Sequence, residues 1–157
     1  MTTLDAYFRV GETIDLGSHT FGAEEIKAFA RKFDPQPFHL DEEAAKASLF
    51  GELCASGWHI AATWMKYNLK RRENIDDTPW QGPGPQPQFG PSPGFEKLKW
   101  LKPVFAGETI AFTRRAIGHR PLASRPGWRV LTIDCEAFDS KGDKVLEFES
   151  AVLVKAD

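Results

Sequence analysis

Asp34 and His39 stand five residues apart in the run Phe33-Asp34-Pro35-Gln36-Pro37-Phe38-His39-Leu40-Asp41. A carboxylate and an imidazole are the groups that general acid–base catalysis most often draws on. Two prolines stiffen the segment that carries them. Each fixes its own φ and pushes the residue before it towards extended geometry, so Asp34 does not continue a helix and Gln36 is held extended. The preceding residues, Ala23–Phe33, read as a helix, with Glu24 and Glu25 in its first turn and Ile26, Phe29 and Ala30 at helical spacing. Asp34 therefore falls at the negative end of that helix dipole, the wrong end for a carboxylate selected for stability. A carboxylate set against its electrostatic interest, beside an imidazole on the same rigid turn, points to chemistry.

The elements around this turn must hold it. A chain of 157 residues fits one domain with a real core, taken as residues 1–157. Apolar content of 41% and charged content of 27% are those of an ordinary globular protein. A net charge of −2 offers no broad basic field, so neither nucleic acid nor an anionic membrane is an expected partner. There is no apolar run long enough for a membrane helix and no signal-like N-terminus. Cys54 and Cys135 form no metal or redox motif, and a cytoplasmic setting is expected.

Val10–Leu16 reads as a first strand ending at Gly17-Ser18, and Asp41 caps a second short helix with Glu42 and Glu43 in its first turn. Ser56–Arg72 is the longest helix candidate. Its first half, with Trp58, Ile60, Trp64 and Met65, is apolar on nearly every side, which predicts burial. Residues 76–94 hold most of the prolines and four glycines, so they make a loop, packed on the body through Trp80 and Phe89. The C-terminal third alternates with period two. Ile110 and Phe112 form one stripe, Leu131, Ile133, Cys135 and Ala137 another, and Leu146, Phe148, Val152 and Val154 a third. About five antiparallel strands and one buried helix predict an α+β hot-dog fold, an antiparallel β-sheet wrapped around a central helix. Its open edges favour pairing with a second copy.

The Asp34–His39 segment, together with Phe50-Gly51-Glu52-Leu53-Cys54-Ala55-Ser56-Gly57-Trp58, resembles the MaoC-like (R)-specific enoyl-CoA hydratase/dehydratase family. That family's motif runs Asp, any residue, Asn, Pro, any residue, His; here it reads Asp34, Pro35, Gln36, Pro37, Phe38 and His39. Lys99-Trp100-Leu101-Lys102-Pro103-Val104 with Gly107-Glu108-Thr109, and then Ser124-Arg125-Pro126, look like its sheet segments. Gln36 replaces the usual Asn, and Phe33 stands where many hydratases have Gly; both bear on the substrate more than on the chemistry. The resemblance implies a homodimer or larger assembly acting on a CoA thioester, with sites near the subunit interface. Asp34 and His39 would activate one water for addition to a 2-enoyl-CoA, or release it from a 3-hydroxyacyl-CoA.

Such an addition also needs donors for the thioester oxygen. A helix N-terminus supplies free N–H groups, and Gly57 admits a close approach to the backbone. No metal or redox cofactor is required. Ser56 and Gly57 are thus candidate substrate-binding residues, with a helix cap and a packing glycine as the plainer roles. Cys54 reads as a small buried hydrophobe, and His59 and His119 as packing and surface residues. Lys70-Arg71-Arg72 and Arg125 are as well explained by solvated positions as by CoA phosphates. Two other functions fit the same scaffold: an acyl-CoA thioesterase, and a non-catalytic acyl-ligand binding or assembly subunit.

Overall fold

The computed structural model describes residues 2–74 and 79–156. Part of the expected loop, Asp76, Asp77 and Thr78, lies outside the described residues, as does the side chain of Arg72. Chain order is α1 (Thr3–Phe8), β1 (Thr13–Thr20), α2 (Ala23–Phe33), α3 (Pro37–Leu40), α4 (Glu42–Lys46), α5 (Gly57–Asn74), β2 (Gln88–Phe89), β3 (Gly94–Trp100), β4 (Thr109–Pro121), β5 (Trp128–Phe138) and β6 (Lys144–Lys155).

The strands form one antiparallel sheet in the order β1-β4-β5-β6-β2, with β3 alongside β2 on the same edge of β6. The inner face of the sheet closes over α5. Ile60 and Trp64 of the helix join Ile14, Ile110, Phe112 and Leu146 of the strands in one buried cluster. The Trp64 indole is fully enclosed and donates to the Thr113 carbonyl oxygen at 2.9 Å, so burying its polar edge leaves no donor unpaired. The α+β hot-dog expectation therefore holds. No helix among the described residues is long and apolar enough to cross a membrane.

Four details differ from the sequence reading. A short helix, α1, precedes the sheet, with Thr2 and Asp5 forming a capping box. The first strand runs Thr13–Thr20 rather than Val10–Leu16, carried past Gly17 by a bulge at which that residue takes a φ of +105°. The sixth strand, β2, lies within the Pro/Gly-rich segment at the sheet edge, where prolines cost no ladder bonds. Helix α5 is not covered all round: Trp58, Met65 and Leu69 are exposed in the single chain.

Helix α1 also changes the standing of His119. Its side chain is buried, not at the surface; Nδ1 accepts from Arg129 Nε at 2.7 Å and Nε2 faces Asp5 Oδ1 at 3.0 Å. The loop aromatics pack as expected, Trp80 against Tyr7 and Phe89 against Phe8.

His59 packs between Phe29 of α2 and Phe21, the residue that follows β1. Its ring stacks flat on Phe29 at 4.5 Å and meets Phe21 edge-on, and its Nδ1 is buried without a hydrogen-bond partner among the described residues. Burial is the main cause that pushes its pKa below the ordinary 6.5; His19 acts in the same direction and Glu25 opposes. Above that value both folded and unfolded chains hold the ring neutral. Below it the unfolded chain takes up a proton that the folded chain resists, so stability falls as pH drops. His59→Phe, which keeps the stack and removes the orphan nitrogen, should leave neutral-pH stability unchanged or raise it by about 1 kcal/mol. It should also flatten the loss between pH 7 and 5 in urea titrations; an unaltered slope would assign the acid sensitivity elsewhere.

Candidate active site

Helix α2 ends where the sequence dictates. Asp34 leaves helical geometry at φ −154°, while its amide still donates to the Ala30 carbonyl oxygen at 2.9 Å. Gln36 is extended, and Pro37 opens the single turn α3 as its first residue, where its missing N–H has no consequence. That turn brings His39 back towards Asp34, with Nε2 3.4 Å from Oδ2.

Neither side chain is left to find its own position. The segment before α5 is clamped from two sides. Cys54 N–H donates to the Phe38 carbonyl oxygen at 3.2 Å, and Ala55 N–H to that of Val104 at 2.8 Å. The Cys54 carbonyl oxygen in turn lies 2.6 Å from His39 Nδ1. A carbonyl only accepts, so Nδ1 carries the proton, and in the neutral ring Nε2 is bare and faces the carboxylate. Two acceptors 3.4 Å apart can each take one hydrogen from the same water, whose oxygen then sits about 2.8 Å from both.

Asp34 is fixed as firmly. Ser56 Oγ donates to Oδ2 at 2.6 Å and Gln36 Nε2 to Oδ1 at 2.6 Å. Ser56 is fully buried at the start of α5, and its carbonyl oxygen accepts from the amides of His59 and Ile60. It thus holds the N-cap position, but its hydroxyl hydrogen goes to Asp34. Burial is the largest influence on Asp34 and raises its pKa; the bonds from Ser56 and Gln36, with the neighbouring imidazole, outweigh it, and the carboxyl sits below the usual 3.8. The group is ionised at neutral pH and only partly exposed, at 17%.

Gly57 opens α5, and the first amides of a helix have no intrahelical acceptor. Its bare Cα has a plain packing cause too. A Cβ there would lie 2.5 Å from Trp100 Nε1 and 2.6 Å from Cδ2, so the indole of β3 rests directly on the glycine. Trp58 meets that indole edge-on at 4.9 Å. The Cys54 thiol, pushed up to about 11 by burial and by the charge of Asp34, is no nucleophile at neutral pH.

The structure thus brings Asp34, His39, Ser56 and Gly57 to one corner. The Ser56–Asp34 bond, the Gln36 bracket, the Cys54 carbonyl and the Trp100 contact are beyond sequence reasoning, since each joins residues that only folding or side-chain rotamers make neighbours. The basic residues considered for CoA phosphates go elsewhere: Arg125 lies over Trp128 and Lys70 over Tyr67. A cavity of about 360 Å³, bordered among others by Lys97, Lys99, Asp134, Lys144 and Glu149, holds no candidate residue; at its rim Lys144 pairs with Glu136 and Glu147, and Lys97 with Glu149.

A family model described as a MaoC like domain matches residues 6–76. The chain is similar to a MaoC-like dehydratase from Rhodospirillum rubrum, 36% identical, with 94% of this chain and 93% of that one covered and a TM-score of 0.77. It is also similar to a monoamine oxidase regulatory protein from Archaeoglobus fulgius, 25% identical, covering 96% and 95% of the two chains with a TM-score of 0.79. An (R)-hydratase from A. caviae involved in PHA biosynthesis shares the fold at 24% identity and a TM-score of 0.66, with coverage of 94% and 96%.

Ser56→Ala removes a donor that favours ionised Asp34. The Asp34 carboxyl pKa, followed by carbon-13 NMR, should rise, and neutral-pH stability should drop by about 2 kcal/mol, as for loss of a hydrogen bond to a charged group. A carboxyl titration unchanged in Ser56→Ala would show that the hydroxyl does not hold it.

Proposed function

The chain belongs to the MaoC-like dehydratase family, and from that membership we propose that it is a hydro-lyase, adding water reversibly to a 2-enoyl-CoA to give an (R)-3-hydroxyacyl-CoA. The observation that carries the reading is the facing of Asp34 and His39 across 3.4 Å beside the first turn of α5. A water held between them gives one hydrogen to each acceptor. As its oxygen bonds to the β-carbon, Asp34 takes a proton and the double-bond electrons move towards the thioester oxygen, which accepts from the Gly57 amide. Return of the proton from Asp34 to the α-carbon restores the carboxylate, so one water is added in all. The proton transfer is worth roughly 10²–10⁴-fold in rate and a preorganised donor at the oxygen on the order of 10²-fold.

The proposal includes a single domain over residues 1–157 and a homodimer. Trp58, Met65 and Leu69 on α5, with Phe95 of β3 and Leu101 just after it, are large apolar side chains exposed in the single chain. Trp58 borders the corner that holds the candidate residues, and among the described residues β3 pairs with β6 alone. A second copy covering this face would remove water from the site and strengthen every hydrogen bond within it.

Asp34→Asn should lower crotonyl-CoA hydration by 10²-fold or more while the protein keeps its far-UV spectrum. Simultaneous assay of enoyl absorbance and free thiol separates hydration from hydrolysis. Thiol release without hydrated product would establish a thioesterase, and no turnover of any enoyl-CoA would favour a binding subunit. Light scattering should give twice the 17.6 kDa chain mass, reduced to one chain by Leu69→Glu; a monomeric unmodified protein rejects the dimer.

A further inference from the structure

We propose that the indole N–H of Trp100 is a second hydrogen-bond donor to the substrate's thioester oxygen, acting with the Gly57 amide. The inference rests on the hydration reading and deepens it, because it names a side chain that touches the reacting group.

The geometry follows from the contact at Gly57. A Cβ on that residue would stand 2.5 Å from Trp100 Nε1. Standard bond lengths then put the indole nitrogen no more than about 5 Å from the Gly57 amide nitrogen. Two donors that each lie about 2.9 Å from a shared oxygen can be almost 6 Å apart, so one oxygen can accept from both. Among the described residues the Trp100 N–H has no acceptor, unlike those of Trp64 and Trp80, which reach the carbonyl oxygens of Thr113 and Gly84. The ring is 44% exposed in the single chain.

The reaction supplies the need. Charge gathers on the thioester oxygen as water attacks, and it does so beside a carboxylate that has only just taken a proton. No Lys or Arg is hydrogen-bonded to the side chains of Asp34, His39 or Ser56 among the described residues; their partners are Gln36, the Cys54 carbonyl and thiol, and one another. Neutral N–H donors must therefore carry the stabilisation. The first amides of α5 point out along the helix axis with no acceptor inside the helix, and Gly57 is the residue of that turn against which the indole lies. The indole lies against Gly57, and its N–H is the partner proposed for that amide.

Its orientation is also fixed. Trp58 stands edge-on to the ring at 80°, and the backbone of β3 pairs Trp100 with Leu146. The absence of a side chain at Gly57 is then required twice, to expose the amide and to let the indole come within reach of the same oxygen.

The test uses Trp100→Phe, which keeps an aromatic ring near Gly57 and removes the N–H, and 3-benzothienylalanine at position 100, which keeps the bicyclic shape and replaces N–H by sulfur. Both should lower kcat for crotonyl-CoA hydration by about tenfold or more with KM changed less than threefold. In the Asp34→Asn background, which holds the bound thioester unreacted, the infrared carbonyl band of 1-¹³C-crotonyl-CoA should lie below its position in water. It should move back towards that position when the N–H is removed. An unmoved carbonyl band in the benzothienyl variant, whatever happens to kcat, would overturn the proposal and leave Trp100 a packing residue. Full hydration by Asp34→Asn would instead refute the water-activation reading, and the carbonyl band of 1-¹³C-butyryl-CoA, a saturated thioester that cannot be hydrated, would then report on Trp100.

Discussion

The hydrogen bonds between the turn Pro37–Leu40 and the strand-like residues before α5 are the constraint on which the rest depends. Phe38 accepts from the Cys54 amide, and the Cys54 carbonyl faces His39 Nδ1. Together they set the height of the turn, the tautomer of the imidazole and the direction in which its free nitrogen points. Two residues later the same stretch of chain sends the Ser56 hydroxyl to Asp34. One short extended segment therefore positions both members of the candidate pair and then becomes the helix whose first amide lies beside them.

The fold makes that segment rigid. Ala55 and Ala106 bond across to Val104 and Leu53, so the residues leading into α5 are tied to the turn that feeds β4. Helix α5 is then anchored by Ile60 and Trp64 in the sheet's concave face. A displacement of the helix start would have to disturb a close-packed core, where voids and overlaps both cost free energy. The site borrows its precision from the core rather than from its own few contacts. A carboxylate at the unfavourable end of α2 is tolerated for the same reason: Ser56, Gln36 and His39 offset both the dipole and the burial.

The exposed apolar side chains of α5 and β3 complete the picture from the other direction. The concave face of the sheet takes the side of α5 that carries Ile60 and Trp64. The stripe carrying Trp58, Met65 and Leu69 is left uncovered. That stripe adjoins the Gly57–Trp100 contact, so whatever covers it also forms part of the surroundings of the candidate site.

Local rules acting on neighbouring residues were enough for much of this protein. Pro35 and Pro37 end α2 at Phe33 because proline restricts the residue before it; Asp41 caps α4 because its side chain reaches an amide three residues on; period-two alternation marks β4, β5 and β6 because a pleated strand shows alternate residues to one face. Helix α1 and strand β2 escaped such rules, being too short to show a period, and with α1 went the burial of His119. The partners of the candidate residues were decided by folding alone. Ser56 to Asp34 and Trp100 to Gly57 join positions 22 and 43 residues apart, and no local propensity specifies which side chains a sheet will bring against a helix end. The sequence by itself determined which groups are present and how stiffly they are carried; packing of the sheet onto α5 decided where they meet.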